Sequence, residues 1–355
     1  MKTLAGLNLL QLQETLADLP KYRASQIYKW ILNGAKKFEQ MTNLSVSLQK
    51  ELTNDYKIFS SEIVKCQKDA NINKIALLLQ DSALIEAVLL EDDKKRLTAC
   101  LSTQAGCPCG CVFCKTGSLG FLRNLESSEI IEQFLHLKNI ADSNKKEGHI
   151  IDNIVIMGMG EPLLNLDNLR KAIAFFCDKK GLNLSLRRIT VSTCGIMEGL
   201  FDIAKKEPFF RLALSLVTAD ETLRSELMPI TKNNPLGKIK EALLLYQKNG
   251  GGRITLEIPL LSFKGEGINT RAKDAVKTAE FSEGLDTVVN IIPWNPVDGL
   301  KFKNKDLCEP DKKQTENFIR ALENNKLKVT TRLHKGKKIS GACGQLGSSL
   351  SEGKK

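Results

Sequence analysis

The chain has 355 residues, enough for two or three domains, and 42% of them are apolar, which excludes global disorder. Lysine and arginine number 52 against 41 acids, a net charge of +11 that suits a polyanionic partner such as nucleic acid or an acidic membrane surface. Ten cysteines against three histidines, with the cysteines bunched in one stretch, fit a metal site in a reducing cytosol better than a secreted disulfide scaffold.

Residues 1–55 read as short helices. Leu7, Leu10, Leu12 and Leu16 run up to Pro20, Tyr22, Ile27, Trp30 and Ile31 form a second stripe ending at Gly34, and a third helix is expected over Leu44 to Leu52. Lys21, Arg23, Lys29, Lys36 and Lys37 dot this region, either as an RNA-gripping accessory domain or as an ordinary solvated helix surface. The start, Met1 to Leu7, lacks a signal-peptide pattern, and no apolar run reaches the roughly 18 residues of a membrane span. A soluble, cytoplasmic protein without a membrane partner is expected.

Residues 56–95 change period. The apolar runs Lys74–Leu79 and Leu84–Leu90, bounded by polar residues, suit a small antiparallel sheet. From residue 96, strand-like runs at 97–103, 151–157, 187–193, 210–217, 253–261 and 287–293, with a seventh at 329–333, alternate with helical stretches such as 128–141, 167–178, 235–248 and 311–325. That alternation predicts an α/β fold with a parallel sheet, open or closing into a (β/α) barrel, whose chemistry sits in loops at the C-terminal strand ends. The Gly/Ser/Lys-rich tail, 347–355, reads as disordered.

Directly after the first of these strands, Cys107, Cys111 and Cys114 form C-x3-C-x2-C. Thiolates are soft ligands for an iron–sulfur cluster or zinc. Three ligands on a four-iron cubane leave one iron open to a small molecule, whereas structural zinc wants four, with Cys109 available as the fourth. A second motif, Met157-Gly158-Met159-Gly160-Glu161-Pro162, ends the run Ile154-Val155-Ile156, where glycine allows close backbone approach to a ligand.

The cysteine spacing and the glycine motif together resemble the radical S-adenosylmethionine (SAM) superfamily. Cys100-Leu101-Ser102-Thr103-Gln104-Ala105-Gly106-Cys107, Ile292-Pro293-Trp294-Asn295-Pro296 and Gly341-Ala342-Cys343-Gly344-Gln345-Leu346 closely resemble the RlmN/Cfr group of RNA adenine methyltransferases within it. Lys29-Trp30-Ile31, Phe38 to Ser45, Ile85-Glu86-Ala87-Val88 and Gly120 to Leu125 extend the likeness over nearly the whole chain. It implies a partial (β/α)6 radical SAM barrel over 96–346, carrying the catalytic cysteine segment, with the helical domain 1–55 and the small sheet 56–95 before it.

The resemblance also implies a chemistry. C2 of adenine offers no nucleophile to an ordinary methyl-cation donor. One SAM would methylate Cys343, and a second, cleaved at a [4Fe-4S] cluster on Cys107, Cys111 and Cys114, would give a 5′-deoxyadenosyl radical that takes hydrogen from that methyl. The carbon radical adds to the base, Glu86 accepts the ring proton, and Cys100 attacks the Cys343 sulfur to release product and a disulfide. The family pattern maps SAM contacts onto Gly160, Glu161, Ser192, Ser215, Leu216, Val217 and Asn295. The implied substrates are 23S rRNA and tRNA, the electron donor a flavodoxin or ferredoxin, and the protein a monomer. C8 methylation by the same machinery is the rival within the class, and a zinc-stabilised RNA-binding protein the rival outside it.

Three departures from the family pattern stand out: Val217 where histidine is usual, the basic run Gly336-Lys337-Lys338-Ile339-Ser340, and the turn Gly265 to Thr270. Lys115, Arg123, Lys335, Lys337 and Lys338 are candidate phosphate contacts. Cys66, Cys109, Cys177, Cys194 and Cys308 receive no role, and His136, His149 and His334 are too scattered to suggest a site.

Overall fold

The computed structural model describes residues 1–144, 151–331 and 339–348. His149, His334, Lys335, Lys337, Lys338 and the tail beyond Ser348 lie outside the described residues.

One mixed sheet, ten strands wide among the described residues, organises the chain. Three antiparallel strands come first: β1 (Glu62–Asp69), β2 (Ile72–Leu78) and β3 (Leu84–Glu91). β3 then pairs antiparallel with β4 (Leu97–Cys100), so the small sheet extends the large one. From β4 onward the strands run parallel in strict chain order: β5 (Asn153–Ile156), β6 (Ile189–Thr193), β7 (Arg211–Ser215), β8 (Ile254–Leu260), β9 (Thr287–Pro293) and β10 (Val329–Thr331). Parallel neighbours need a crossover, and intervening helices supply it, as the strand–helix alternation predicts.

Because β4 is already paired with β3 on its outer side, the parallel strands do not close through it, and the barrel is partial. Thr98 and Cys100 of β4, Val155 of β5, Ile292 of β9 and Thr331 of β10 nevertheless line one cavity. The sheet therefore curls until its first and last parallel strands face each other. β1 was not foreseen: its residues are mostly exposed or half-buried, the composition of a protected edge strand and not of an apolar run.

The helical domain holds α1 (Leu9–Thr15), α2 (Lys21–Leu32) and α3 (Val46–Asp55). α1 begins where a reciprocal pair of bonds, Gln11 N–H to Asn8 Oδ1 at 2.9 Å and Asn8 N–H to Gln11 Oε1 at 3.0 Å, satisfies two of the first turn's orphan donors. Ala24, Ile27, Tyr28 and Ile31 bury one face of α2. The flanking helices of the main sheet are α4 (Ser127–Asn144), α5 (Leu166–Cys177), α6 (Met197–Lys205), α7 (Glu221–Leu227), α8 (Leu236–Lys248), α9 (Ala272–Ser282) and α10 (Lys312–Asn324). On α4 the buried Glu132 carboxylate accepts the N–H and hydroxyl hydrogens of both Ser60 and Ser61, tying the start of the sheet to the barrel. No helix among the described residues is long and apolar enough to cross a membrane.

Candidate active site

After β4 the chain forms a short strand, Gln104–Gly106, that pairs antiparallel with Phe121–Asn124. Residues 107–120 are thus a loop closed at its neck, and Cys107, Cys111 and Cys114 all line one cavity from it. Gly106 sits at φ +77°, and a Cβ there would lie 2.0 Å from the Gly120 carbonyl oxygen, so the two arms can meet only at glycine. Three bonds fix the loop from outside: Trp294 Nε1 to the Phe113 carbonyl at 3.0 Å, Val112 N–H to the Leu227 carbonyl at 3.0 Å, and Lys115 N–H to the Gly344 carbonyl at 2.8 Å.

Burial pushes the Cys111 and Cys114 thiols up, and a hydrogen bond to Cys109, followed by burial, does the same at Cys107. A cationic group bound by these thiols displaces their protons. The donor set fits an iron–sulfur cluster: three soft ligands converge on a cavity whose empty volume, open mouth included, is about 1010 Å³. Cys109 lines the same cavity and hydrogen-bonds Cys107, and its Sγ lies 3.5 Å from Cys194 Sγ, both buried beside Glu161.

Gly160, Glu161, Ser192, Ser215, Val217 and Asn295, all expected around SAM, line this same cavity. The Glu161 carboxylate accepts N–H bonds from Leu163 at 3.0 Å and Cys194 at 2.8 Å, while burial raises its pKa. Ser192 Oγ and Ser215 Oγ stand 3.3 Å apart on neighbouring strand ends. The glycines of Met157–Gly160 serve chain packing as well as ligand approach: a Cβ at Gly158 would lie 2.6 Å from Ser102 Oγ, and one at Gly160 2.6 Å from Gln104 Cβ. Leu216 is fully buried and is not among the lining residues; its carbonyl accepts Arg224 Nε at 3.0 Å. Val217 sits at φ +63°, a strained conformation for a β-branched residue. Its N–H already bonds the Glu257 carbonyl at 3.1 Å and its carbonyl accepts Asn269 Nδ2 at 2.8 Å, which narrows what its backbone can offer a ligand.

A second cavity adjoins the first. Cys343 and Asn295 line both, and Cys100 lines the second together with Glu91, Thr98 and Ala342. Topology thus brings Cys100 and Cys343, far apart in sequence, to one site, and both stand as thiols. The Cys343 segment is clasped by Asn295 Nδ2 to the Cys343 carbonyl at 3.3 Å, Gln345 Nε2 to the Pro296 carbonyl at 2.9 Å and Thr116 Oγ1 to the Leu346 carbonyl at 2.7 Å. Glu86 is fully buried and lines neither cavity. Its Oε1 is 3.3 Å from Lys74 Nζ and its Oε2 accepts the Gly347 N–H at 2.7 Å.

Arg123, expected to contact phosphate, is committed elsewhere: its guanidinium pairs with Glu129 at 2.7 and 2.8 Å and with Asp81. Sequence reasoning missed Cys194, Glu257, Lys74 and Arg224. A carboxylate in the apolar run Ile254-Thr255-Leu256-Glu257-Ile258 was a usable signal for Glu257, which lines the cavity and accepts Asn290 Nδ2 at 2.8 Å. Lys74 and Arg224 carried none, since only the tertiary fold buries them.

Residues 101–270 match the radical SAM superfamily, and residues 2–58 match the ribosomal RNA large subunit methyltransferase N-terminal domain. A probable dual-specificity RNA methyltransferase RlmN of Treponema denticola is 47% identical over 97% of this chain and 95% of its own. The protein of the same description from Treponema pallidum is 39% identical over 97% of each. The crystal structure of a radical SAM methyltransferase from Sphaerobacter thermophilus superposes with a TM-score of 0.90 at 32% identity, covering 98% of this chain and 100% of that one. The superfamily implies a [4Fe-4S] cluster and SAM, and the three loop cysteines are a donor set such a cluster takes. With likeness of this extent along its whole length, the chain belongs to the RlmN family of radical SAM RNA methyltransferases.

Proposed function

We propose that this protein methylates C2 of adenine in RNA, at the peptidyl-transferase centre of 23S rRNA and next to the anticodon of tRNA. The observation that carries the reading is that Cys343 lines both cavities while Cys100 lines the second. A sulfur so placed can receive a methyl group on the side of the three cluster cysteines and present its carbon to a base on the other.

Bound at this site, a [4Fe-4S] cluster and two SAM per turnover supply a methyl group and the one-electron chemistry that takes hydrogen from it. Cys107, Cys111 and Cys114 would hold the cluster. Gly160, Ser192, Ser215, Val217 and Asn295, which line the cavity, would orient SAM, with the Glu161 carboxylate, already aligned by two N–H donors, set against its ammonium. An adenine extruded from its stack enters the second cavity. Glu86 is the proton acceptor that the family likeness assigns; it lies behind the second cavity, paired with Lys74 at 3.3 Å, so in this reading the pair opens before the ring proton reaches Oε1. Once the adduct has given up its unpaired electron to the one-electron chemistry the cluster would supply, the Cys100 thiolate attacks the Cys343 sulfur; the S–S bond forms as the S–CH2 bond breaks, and the electron pair left on that carbon takes a proton to complete the methyl group. Reduction by a flavodoxin or ferredoxin, action as a monomer and a cytoplasmic location belong to the same reading.

Nucleoside mass spectrometry of RNA from a strain lacking the protein is the direct test. Loss of 2-methyladenosine from both 23S rRNA and tRNA is expected; loss of 8-methyladenosine instead would redirect the reading to C8. Cys343→Ala should give neither product nor adduct, and Cys100→Ala should leave RNA covalently attached to the protein. Normal release of methylated RNA by both variants would falsify the thiol-pair mechanism.

A further inference from the structure

Arg224, on α7, is fully buried. Its Nε donates to the Leu216 carbonyl at 3.0 Å, Nη1 to Thr231 Oγ1 at 2.8 Å, and Nη2 to the carbonyls of Cys194 at 2.6 Å and Ser215 at 3.3 Å. Every acceptor is neutral. Among the described residues no carboxylate lies within ion-pair distance of it. Neutral acceptors satisfy the N–H groups but add no net counter-charge, and the Glu221 and Glu161 carboxylates act on the guanidinium only from beyond ion-pair distance.

The cysteine loop lies on one side. The carbonyl of Leu227, one turn along α7, accepts the N–H of Val112 in the cysteine loop at 3.0 Å, so the helix is docked against the ligand segment. Burial pulls the Arg224 pKa down, and the neighbouring Cys194, Cys111, Glu221 and Glu161 oppose that pull. Cys194 and Ser215, whose carbonyls Arg224 holds, line the same cavity as Cys107, Cys111 and Cys114.

We propose that Arg224 is the internal counter-charge of the cluster site, a positioning residue that offsets the negative charge of the cysteine ligands. By the same fork it fixes the carbonyls at the ends of β6 and β7, which wall the cavity where SAM is placed. The inference rests on the reading of Cys107, Cys111 and Cys114 as cluster ligands. Cluster potentials follow local net charge and hydrogen bonding, and reduction adds one negative charge beside the guanidinium. A buried cation there favours the reduced state.

The test is an anaerobic reductive titration of the reconstituted protein, followed optically, with iron and sulfide assayed in parallel. Arg224→Gln removes the charge and part of the fork, whereas Arg224→Lys keeps the charge without the fork. The expected result is a cluster that is harder to reduce in Arg224→Gln, with a more negative midpoint, and a midpoint restored toward wild type in Arg224→Lys. Equal midpoints in all three proteins would overturn the inference, as would equal shifts in the two variants, which indicate the fork alone. Failure of both variants to fold would also overturn it, because a counter-charge for the cluster is not needed to build the apoprotein. If the wild type itself binds no cluster, the cluster-site reading falls instead.

Discussion

Lys74 and Glu86 form a buried ion pair that grips the catalytic segment on both sides of Cys343. The pair spans 3.3 Å with side chains 2% and 0% exposed. Lys74 Nζ donates to the Ser340 carbonyl at 3.3 Å, and Glu86 Oε2 accepts the Gly347 N–H at 2.7 Å. The reactive sulfur lies between these two anchors, so the pair's integrity is also the segment's.

Breaking one partner strands the other charge in the interior. Lys74→Met or Glu86→Gln alone should therefore cost about 3–5 kcal/mol of stability, and the double variant less than the sum. Denaturant unfolding of the four proteins in the cycle measures it; strict additivity would mean that the pair is not coupled.

His136 carries a pH dependence. It is buried on α4, stacked on Phe59 with ring centroids 4.5 Å apart and within 3.2 Å of Ser61 Oγ. Burial, then the positive charge of Lys36, lowers its pKa from 6.5 to about 4. The unfolded chain thus binds a proton that the folded one refuses between those values. Stability from this group is complete above pH 6.5 and is lost as pH falls toward 4, by about 3 kcal/mol in total. Glu132, joined to the same serines and raised by burial, works in the opposite sense, so the measurement is the difference in unfolding free energy between wild type and His136→Asn across that window. A constant difference would refute the assignment.

Gly160→Ala should be poorly tolerated. The residue sits at φ +104°, and a Cβ would come within 2.6 Å of Gln104 Cβ and 2.8 Å of its backbone nitrogen. Left-handed strain and overpacking together should remove about 2–5 kcal/mol and weaken SAM binding. Thermal unfolding and calorimetric titration with SAM check both; an unchanged melting temperature would contradict the packing account.

Trp294→Phe deletes the single bond from Trp294 to the Phe113 carbonyl while keeping most of the buried ring. The expected cost to global stability is about 1 kcal/mol. The cysteine loop should loosen more than the fold does, releasing iron to a chelator several-fold faster. Equal release rates would show that the other two anchors suffice.

Local signals made much of this legible in the sequence. Cys107, Cys111 and Cys114 were visible because their spacing falls in one loop after a strand, and β5, β8 and β9 because they are dense β-branched runs. The hairpin Gln104–Gly106 with Phe121–Asn124 was not, since its arms are short and lie on either side of the cysteine loop with no two-residue turn between them. Buried charges escaped for another reason: Lys74 and Arg224 look like surface residues until partners distant in sequence enclose them. Glycine roles were half visible. The motif at Gly158 and Gly160 reads as ligand approach, but the crowding that demands it comes equally from Ser102 and Gln104.

The zipped neck of the cysteine loop bears on maturation. Its two arms are paired through backbone groups, so the loop's ends are drawn together by the polypeptide and not by the cysteines. The neck limits the segment that cluster binding would have to order to residues 107–120. Within that ring the Lys115 N–H and Thr116 Oγ1 hold the carbonyls of Gly344 and Leu346, so the loop that carries the three cysteines also carries the segment of Cys343.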